Sequence, residues 1–168
     1  MFKKFLLAIA LTLPLSVMAQ KFGIVDADQI IQAMPETTAA QSQLEETSKK
    51  YETENQKLQE ELNKLYTDFQ TIQNDPNTPE SIKERRSQEI QERYQKFEQF
   101  QATASQELAR LRESLMTPIT QKLMEAVKAV GAEGSFTFVF IDEPNLMVYV
   151  GTDVVNVTAE VRKKLGLN

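Results

Sequence analysis

The chain has 168 residues, no cysteine, no histidine and a formal net charge of −5. No disulfide can brace such a chain, and the usual general base and the commonest zinc ligands are missing. Its acidity makes non-specific nucleic-acid binding a poor prospect, and its length fits one domain, or one domain with an extension.

The first residues read as a signal peptide. Lys3 and Lys4 form a short positive region, Phe5 to Leu15 is apolar, and Val17-Met18-Ala19 places small residues at a cleavage site. The apolar run is too short to span a bilayer, and no cysteine follows it to carry a lipid. We expect cleavage after Ala19 and an exported, soluble mature chain starting at Gln20. Losing Lys3 and Lys4 takes its net charge from −5 to −7.

Phe22-Gly23-Ile24-Val25 reads as a short strand, with Asp26 as N-cap of a helix over about 27–34. Pro35 interrupts it. A long helical arm is then expected from Glu36 to about Asn74. Leu44, Tyr51, Leu58, Leu65 and Ile72 recur every seven residues, with Ser48, Asn55, Leu62 and Phe69 between them. This 3.5-residue period is that of a coiled-coil seam.

Asp75-Pro76-Asn77-Thr78-Pro79 is a turn. A second arm starts near Pro79, and its seam runs Ile90, Tyr94, Phe97, Gln101, Ala104, Leu108, Leu111, Leu115. Two seams joined by a short Pro-rich turn specify an antiparallel helical hairpin. Folding at about residue 77 pairs positions whose numbers sum to 155 or 156. Asn55 then meets Gln101, and a polar pair at one level penalises shifted registers. Pro118 should kink the second arm. Beyond it Ile119, Leu123, Met124 and Val127 supply a core-facing stripe, and Gly131 and Gly134 should end the helix.

Two strands are expected next, 136–141 and 146–150, joined by a turn at Asp142-Glu143-Pro144-Asn145. Asn156 or Thr158 caps a last helix running to about Leu165. Phe136, Phe138 and Phe140 fall on one strand face, and Val139 and Ile141 on the other. A sheet with one wet face would alternate with polar residues. The body built by 20–35 and 116–168 has only roughly 70 residues, a marginal core alone. Oligomerisation through the sheet is the economical solution, with Phe136, Phe138, Phe140, Val148 and Val150 as interface candidates. The fold class is α+β: a hairpin arm over 36–115 attached to a small β-rich oligomerisation body.

Lys83, Arg85, Arg86, Arg93 and Lys96 cluster just after the turn, among Glu84, Glu89 and Glu92. They read first as a solvated face with i,i+4 pairs such as Glu89–Arg93 and Glu92–Lys96. The alternative is a contact patch for an acidic client or for lipid head groups. Tyr66 and Phe100 lie just off the seam, as seam packing or client contacts.

The chain resembles the Skp (OmpH-like) periplasmic chaperones. The resemblance rests on Phe22-Gly23-Ile24-Val25-Asp26 after a signal peptide, the hairpin, and Leu115-Met116-Thr117-Pro118-Ile119. Ser135 to Ile141 with Asp142, and Val157-Thr158-Ala159-Glu160-Val161, complete it. It covers essentially the whole mature chain, and it lies in the order of these segments. It implies a homotrimer joined at its strands, with hairpins enclosing a cavity that holds unfolded outer-membrane proteins without nucleotide hydrolysis. The basic cluster just after the turn is what would allow a transient membrane-surface contact through the arm tips. The best-known member is strongly basic; this chain is acidic.

A holdase is the first functional expectation. A structural or adaptor coiled coil of an envelope assembly is the second, and it would not suppress aggregation. An enzyme is disfavoured: Asp26 with Asp28, or Asp142 with Glu143, could be an acid/base pair, but each is better read as a cap or turn residue. No cofactor and no nucleic-acid partner is expected.

Overall fold

A computed structural model of the chain describes residues 20–143 and 146–167. The expected signal peptide, and Pro144 and Asn145 of the expected turn, lie outside the described residues. The chain divides into two compact units. Of the described residues, one unit holds 20–27 together with Glu125–Gly166, and the other holds Asp28–Met124.

The second unit is the hairpin. After α1 (Ala27–Ala33), Pro35 opens α2 (Pro35–Asn74) at a position where its missing N–H costs nothing. Thr37 ties the corner, its N–H donating to the Met34 carbonyl at 3.0 Å and its hydroxyl to that of Ile31. The 40 residues of α2 span about 60 Å. The turn at 75–79 leads into α3 (Glu80–Glu133).

Most seam residues are buried or half-buried, while Ser48, Tyr94 and Gln101 are exposed. Leu62, Ile90, Phe97 and Ala104 are buried. The expected register is observed: the Gln101 amide donates to the Asn55 side-chain oxygen at 3.1 Å. Arg93 faces Glu61 at 3.7 Å, the Tyr51 and Phe100 rings lie 6.0 Å apart, and Lys122 pairs with Glu36. Contacts from residue 36 to residue 122 thus fix one antiparallel alignment.

Three expectations for α3 are corrected. Tyr94 occupies a seam position yet is half exposed, its phenol hydrogen-bonded to Glu98 on its own helix. The buried stripe beyond Pro118 is Ile119, Leu123, Ala126 and Val130, not one containing Met124, which is exposed. Met124 follows Leu123 by one residue, about 100° around the helix. The helix also runs past Gly131 to Glu133. Its end is closed by Gly134 N–H to Val130 O at 2.9 Å and Phe136 N–H to Gly131 O at 3.0 Å. Ser135, with φ 53°, takes the left-handed position, and Gly134 is required because a methyl there would overlap the Phe136 ring. Helical structure continues through Pro118. Just before it the Thr117 hydroxyl donates to the Glu113 carbonyl at 2.7 Å.

The other unit is a parallel sheet of order β2-β1-β3, made by β1 (Phe22–Val25), β2 (Phe138–Ile141) and β3 (Val155–Asn156). Phe22 pairs with Phe138 and Val25 with Ile141 on one side of β1; Gly23 pairs with Val155 on the other. α4 (Thr158–Lys164) follows, its start held by the Asn156 side chain accepting from Thr158 N–H at 2.9 Å. The Thr158 hydroxyl in turn accepts the Asp26 N–H at 2.9 Å. Val25, Val157 and Val161 are fully buried.

The expected second strand over 146–150 is not a strand. The Asp142 N–H extends the β1–β2 ladder to Val25 O at 2.8 Å, and then Leu146 and Met147 both donate to Glu143 O, at 2.9 and 3.1 Å. That turn carries the chain off the β2 edge. Among the described residues β1 pairs with β2 and β3, and the apolar run 146–150 pairs with no strand, although the outer edge of β2 is open.

Candidate functional site

Two surfaces hold the residues singled out by sequence. On the sheet unit, β2 directs Phe138 and Phe140 outward, 57% and 48% exposed. The Phe138 ring stacks on Phe22, nearly parallel at 6.2 Å, and touches Phe140 at 5.9 Å. Leu146, Val148 and Tyr149 stand 74%, 99% and 86% exposed, with Val150 also outside. Phe22, Phe140 and the segment 146–151 line a depression of about 580 Å³. Six large apolar side chains on one small unit form a water-facing surface of the kind that marks an interaction site.

Phe136 does not join them. Its ring fills the space beside Gly23, within 3.1 Å of where a Cβ would stand, and the Lys21 ammonium sits 4.0 Å over it. The period-2 reading put Phe136 with Phe138 and Phe140, but the strand starts only at Phe138. Leu146 and Tyr149, which sequence reasoning did not single out, are exposed. The signal was available: both flank Val148 in an apolar run with no polar alternation.

On the hairpin, the basic cluster is partly neutralised from within. Arg86 pairs with Glu89 at 2.6 Å and Arg93 with Glu61 across the seam at 3.7 Å, in place of the expected Glu89–Arg93 and Glu92–Lys96 pairs. Lys83, Arg85 and Lys96 make no ion pair among the described residues. Asp75 organises the tip. It accepts from Asn77 N–H and the Thr78 hydroxyl, each at 3.0 Å, and the Asn77 hydrogen bond above all holds its carboxyl below the usual range. Phe100 is half-buried against Tyr51, whereas Tyr66 stands free of the seam. The charge of Glu98, and then its hydrogen bond, raise the pKa of the neighbouring Tyr94 phenol.

The sequence that builds the hairpin and the sheet unit matches a known family. The outer membrane protein (OmpH-like) family model covers residues 21–165. The chain belongs to the OmpH-like family. A curated relative, the chaperone protein Skp of Yersinia enterocolitica, is 28% identical over 160 residues, covering 95% of this chain and 94% of the relative. The match includes both surfaces: β2 and its neighbours, and the whole hairpin with its tip. No helix among the described residues is long and apolar enough to cross a membrane. At the level of the family, the match supports a periplasmic chaperone of outer-membrane proteins.

Proposed function

We propose that the mature chain is an ATP-independent periplasmic holdase that takes up unfolded outer-membrane proteins and keeps them from aggregating. A body of residues 20–35 and 116–168 joins three copies through the sheet surface. The hairpins over 36–115 enclose the client between copies, with many weak contacts in place of one tight site. The signal peptide delivers the chain to the periplasm.

The observation that carries this reading is the exposed apolar surface of the sheet unit. Val148, Tyr149 and Leu146 are almost fully in water in the single chain, and burying such side chains is worth about 1.5–3 kcal/mol each. A second and third copy would cover them, and assembly is what turns single hairpins into an enclosure. Membership of the OmpH-like family supports the client class.

Two measurements test it. The native mass of the mature protein should be three times that of the chain. Diluting a urea-unfolded outer-membrane barrel protein into buffer should scatter light, and equimolar trimer should suppress that scatter without nucleotide. A trimer that leaves aggregation unchanged would instead fit an adaptor coiled coil.

A further inference from the structure

We propose that the side of the hairpin bearing Tyr66 and Tyr94 is a docking surface for extended, unfolded chain segments that carry arginine or lysine. This deepens the holdase reading and rests on it.

Tyr66 and Tyr94 are 46% and 47% exposed; among the described residues of the hairpin unit, only Met124 is another large apolar side chain so exposed. They come from different helices, and the register that joins Asn55 to Gln101 sets Tyr94 opposite Leu62, about one helical turn from Tyr66 along the arm. Tyr94 stands where the heptad calls for a buried residue, so half its ring faces water at a position where leucine would bury more surface.

The surroundings of the pair are unusual for so charged an arm. Residues three, four and seven positions away share a helix face. Around Tyr66 these include Gln59, Asn63 and Gln70; around Tyr94 they include Gln91, Gln101 and Glu98. Glu98 carries the only ionised side chain at all these positions. The ion pair between Glu61 and Arg93 falls on the opposite side of the seam by heptad position. Gln59 donates to Asn63 at 3.3 Å and Gln101 to Asn55, so the tyrosine side offers two phenol faces, the amides of Gln70 and Gln91 with the spare capacity of those pairs, and one carboxylate, with no cation of its own.

This chemistry selects its occupant. Glutamine and asparagine amides both donate and accept, and so suit the unpaired N–H and C=O groups of an extended backbone. Phenol faces attract ammonium and guanidinium groups, and Glu98 adds a full negative charge at the edge of the Tyr94 ring. The net charge of residues 20–168, −5 less the two charges of Lys3 and Lys4, is −7 and points the same way. An acidic segment would meet the Glu98 charge with nothing to offset it.

The test uses the mature protein and fluorescent, unstructured Gly/Ser peptides of one length carrying four arginines, four glutamates or neither. Anisotropy at low salt should show the arginine peptide binding at least about fivefold more tightly than the glutamate peptide, an effect of the size of one or two exposed cation–π contacts. Tyr66→Ser should weaken arginine-peptide binding about threefold, Tyr66→Phe should retain it, and Glu98→Gln should weaken it about twofold. All three changes are at exposed positions, and an unchanged melting curve verifies the fold. Equal binding of the arginine and glutamate peptides, or no loss in Tyr66→Ser, overturns the proposal. Aggregation suppression of the unfolded barrel protein is scored separately. Suppression without arginine preference removes this inference and leaves the holdase reading standing; tyrosine-dependent arginine binding without suppression does the reverse.

Discussion

In the hairpin, side chains that the heptad marks as seam are mostly covered by the other arm of the same chain. In the sheet unit, side chains that the strand pattern marks as core stand in water. Leu62 and Phe97 are buried, while Phe138 and Val148, equally apolar, are not. The two regions differ in where the covering partner comes from. A coiled-coil hairpin supplies both of its surfaces from adjacent sequence. A three-stranded sheet of four, four and two residues has α4 and the end of α3 to cover it, and its apolar surface exceeds what they can hide. Exposed apolar residues therefore carry information in the sheet unit, and buried ones carry it in the hairpin.

The strongest way to break this comparison is to charge the sheet surface. Val148→Asp places a carboxylate at a site that is almost fully solvated in the single chain, so folding of the chain should be unaffected. If that site is buried on assembly, the dissociation constant should rise roughly a hundredfold or more, about 3 kcal/mol. Sedimentation at micromolar protein reads the mass directly, and an unchanged mass would move the interface elsewhere. Phe138→Asp should also weaken assembly, with some loss of chain stability because its ring stacks on Phe22.

The converse experiment cuts the hairpin. Leu62→Ala should destabilise the arm by about 2–4 kcal/mol through lost transfer energy and a cavity, while leaving the oligomer mass as it was. Urea unfolding followed at the arm, with sedimentation in parallel, separates the two effects. Ser48→Ala, at an exposed seam position, should cost almost nothing.

A smaller effect sharpens the picture within the arm. Between Gln41 and Lys57 no residue is buried, whereas Leu62 is buried with half-buried Leu58, Leu65 and Phe69 around it. Amide hydrogen exchange should be faster over 41–57 than over 58–72. Uniform protection would make the arm a rigid rod and not a compliant lever.

The smallest expected effect is electrostatic. Asp75 has a folded pKa below its unfolded value because Asn77 N–H and the Thr78 hydroxyl bond the carboxylate. The unfolded chain then binds more protons on acidification, so stability rises with pH across this window. The contribution is present above the unfolded pKa of about 3.9 and disappears as pH falls through the lower folded value. Protection factors at residues 74–80, taken relative to the intrinsic exchange rate at each pH, should fall below about pH 4 and stay constant from 5 to 8. Asp75→Asn should abolish that dependence.

Much of the arm was legible because its information is local and repeated. A seven-residue period over more than four turns leaves few alternative structures, and the amide pair selected the register that joins Asn55 to Gln101. The same logic misplaced Tyr94, because periodicity assigns a face without accounting for the phenol's hydrogen bond to Glu98. The candidate surfaces were legible only in part. Phe138, Phe140, Val148 and Val150 are exposed together, but Phe136 is absorbed by the space at Gly23 and Gly134. That fit depends on how the end of α3 meets the strands, which no local pattern encodes.

By itself the sequence determined the helices, their seam, the turn at 75–79, the first strand and the shortage of covering elements for a two-faced apolar sheet. These follow from residue periods and from counting apolar surface against chain length. Tertiary structure alone decided how the strands pair. An apolar run such as 146–150 is compatible with an antiparallel hairpin, but β1 is the central strand and takes β2 and β3 in parallel on its two sides. Strand pairing depends on contacts between residues more than a hundred positions apart, and the energy of those contacts is fixed only once the helices between them have folded.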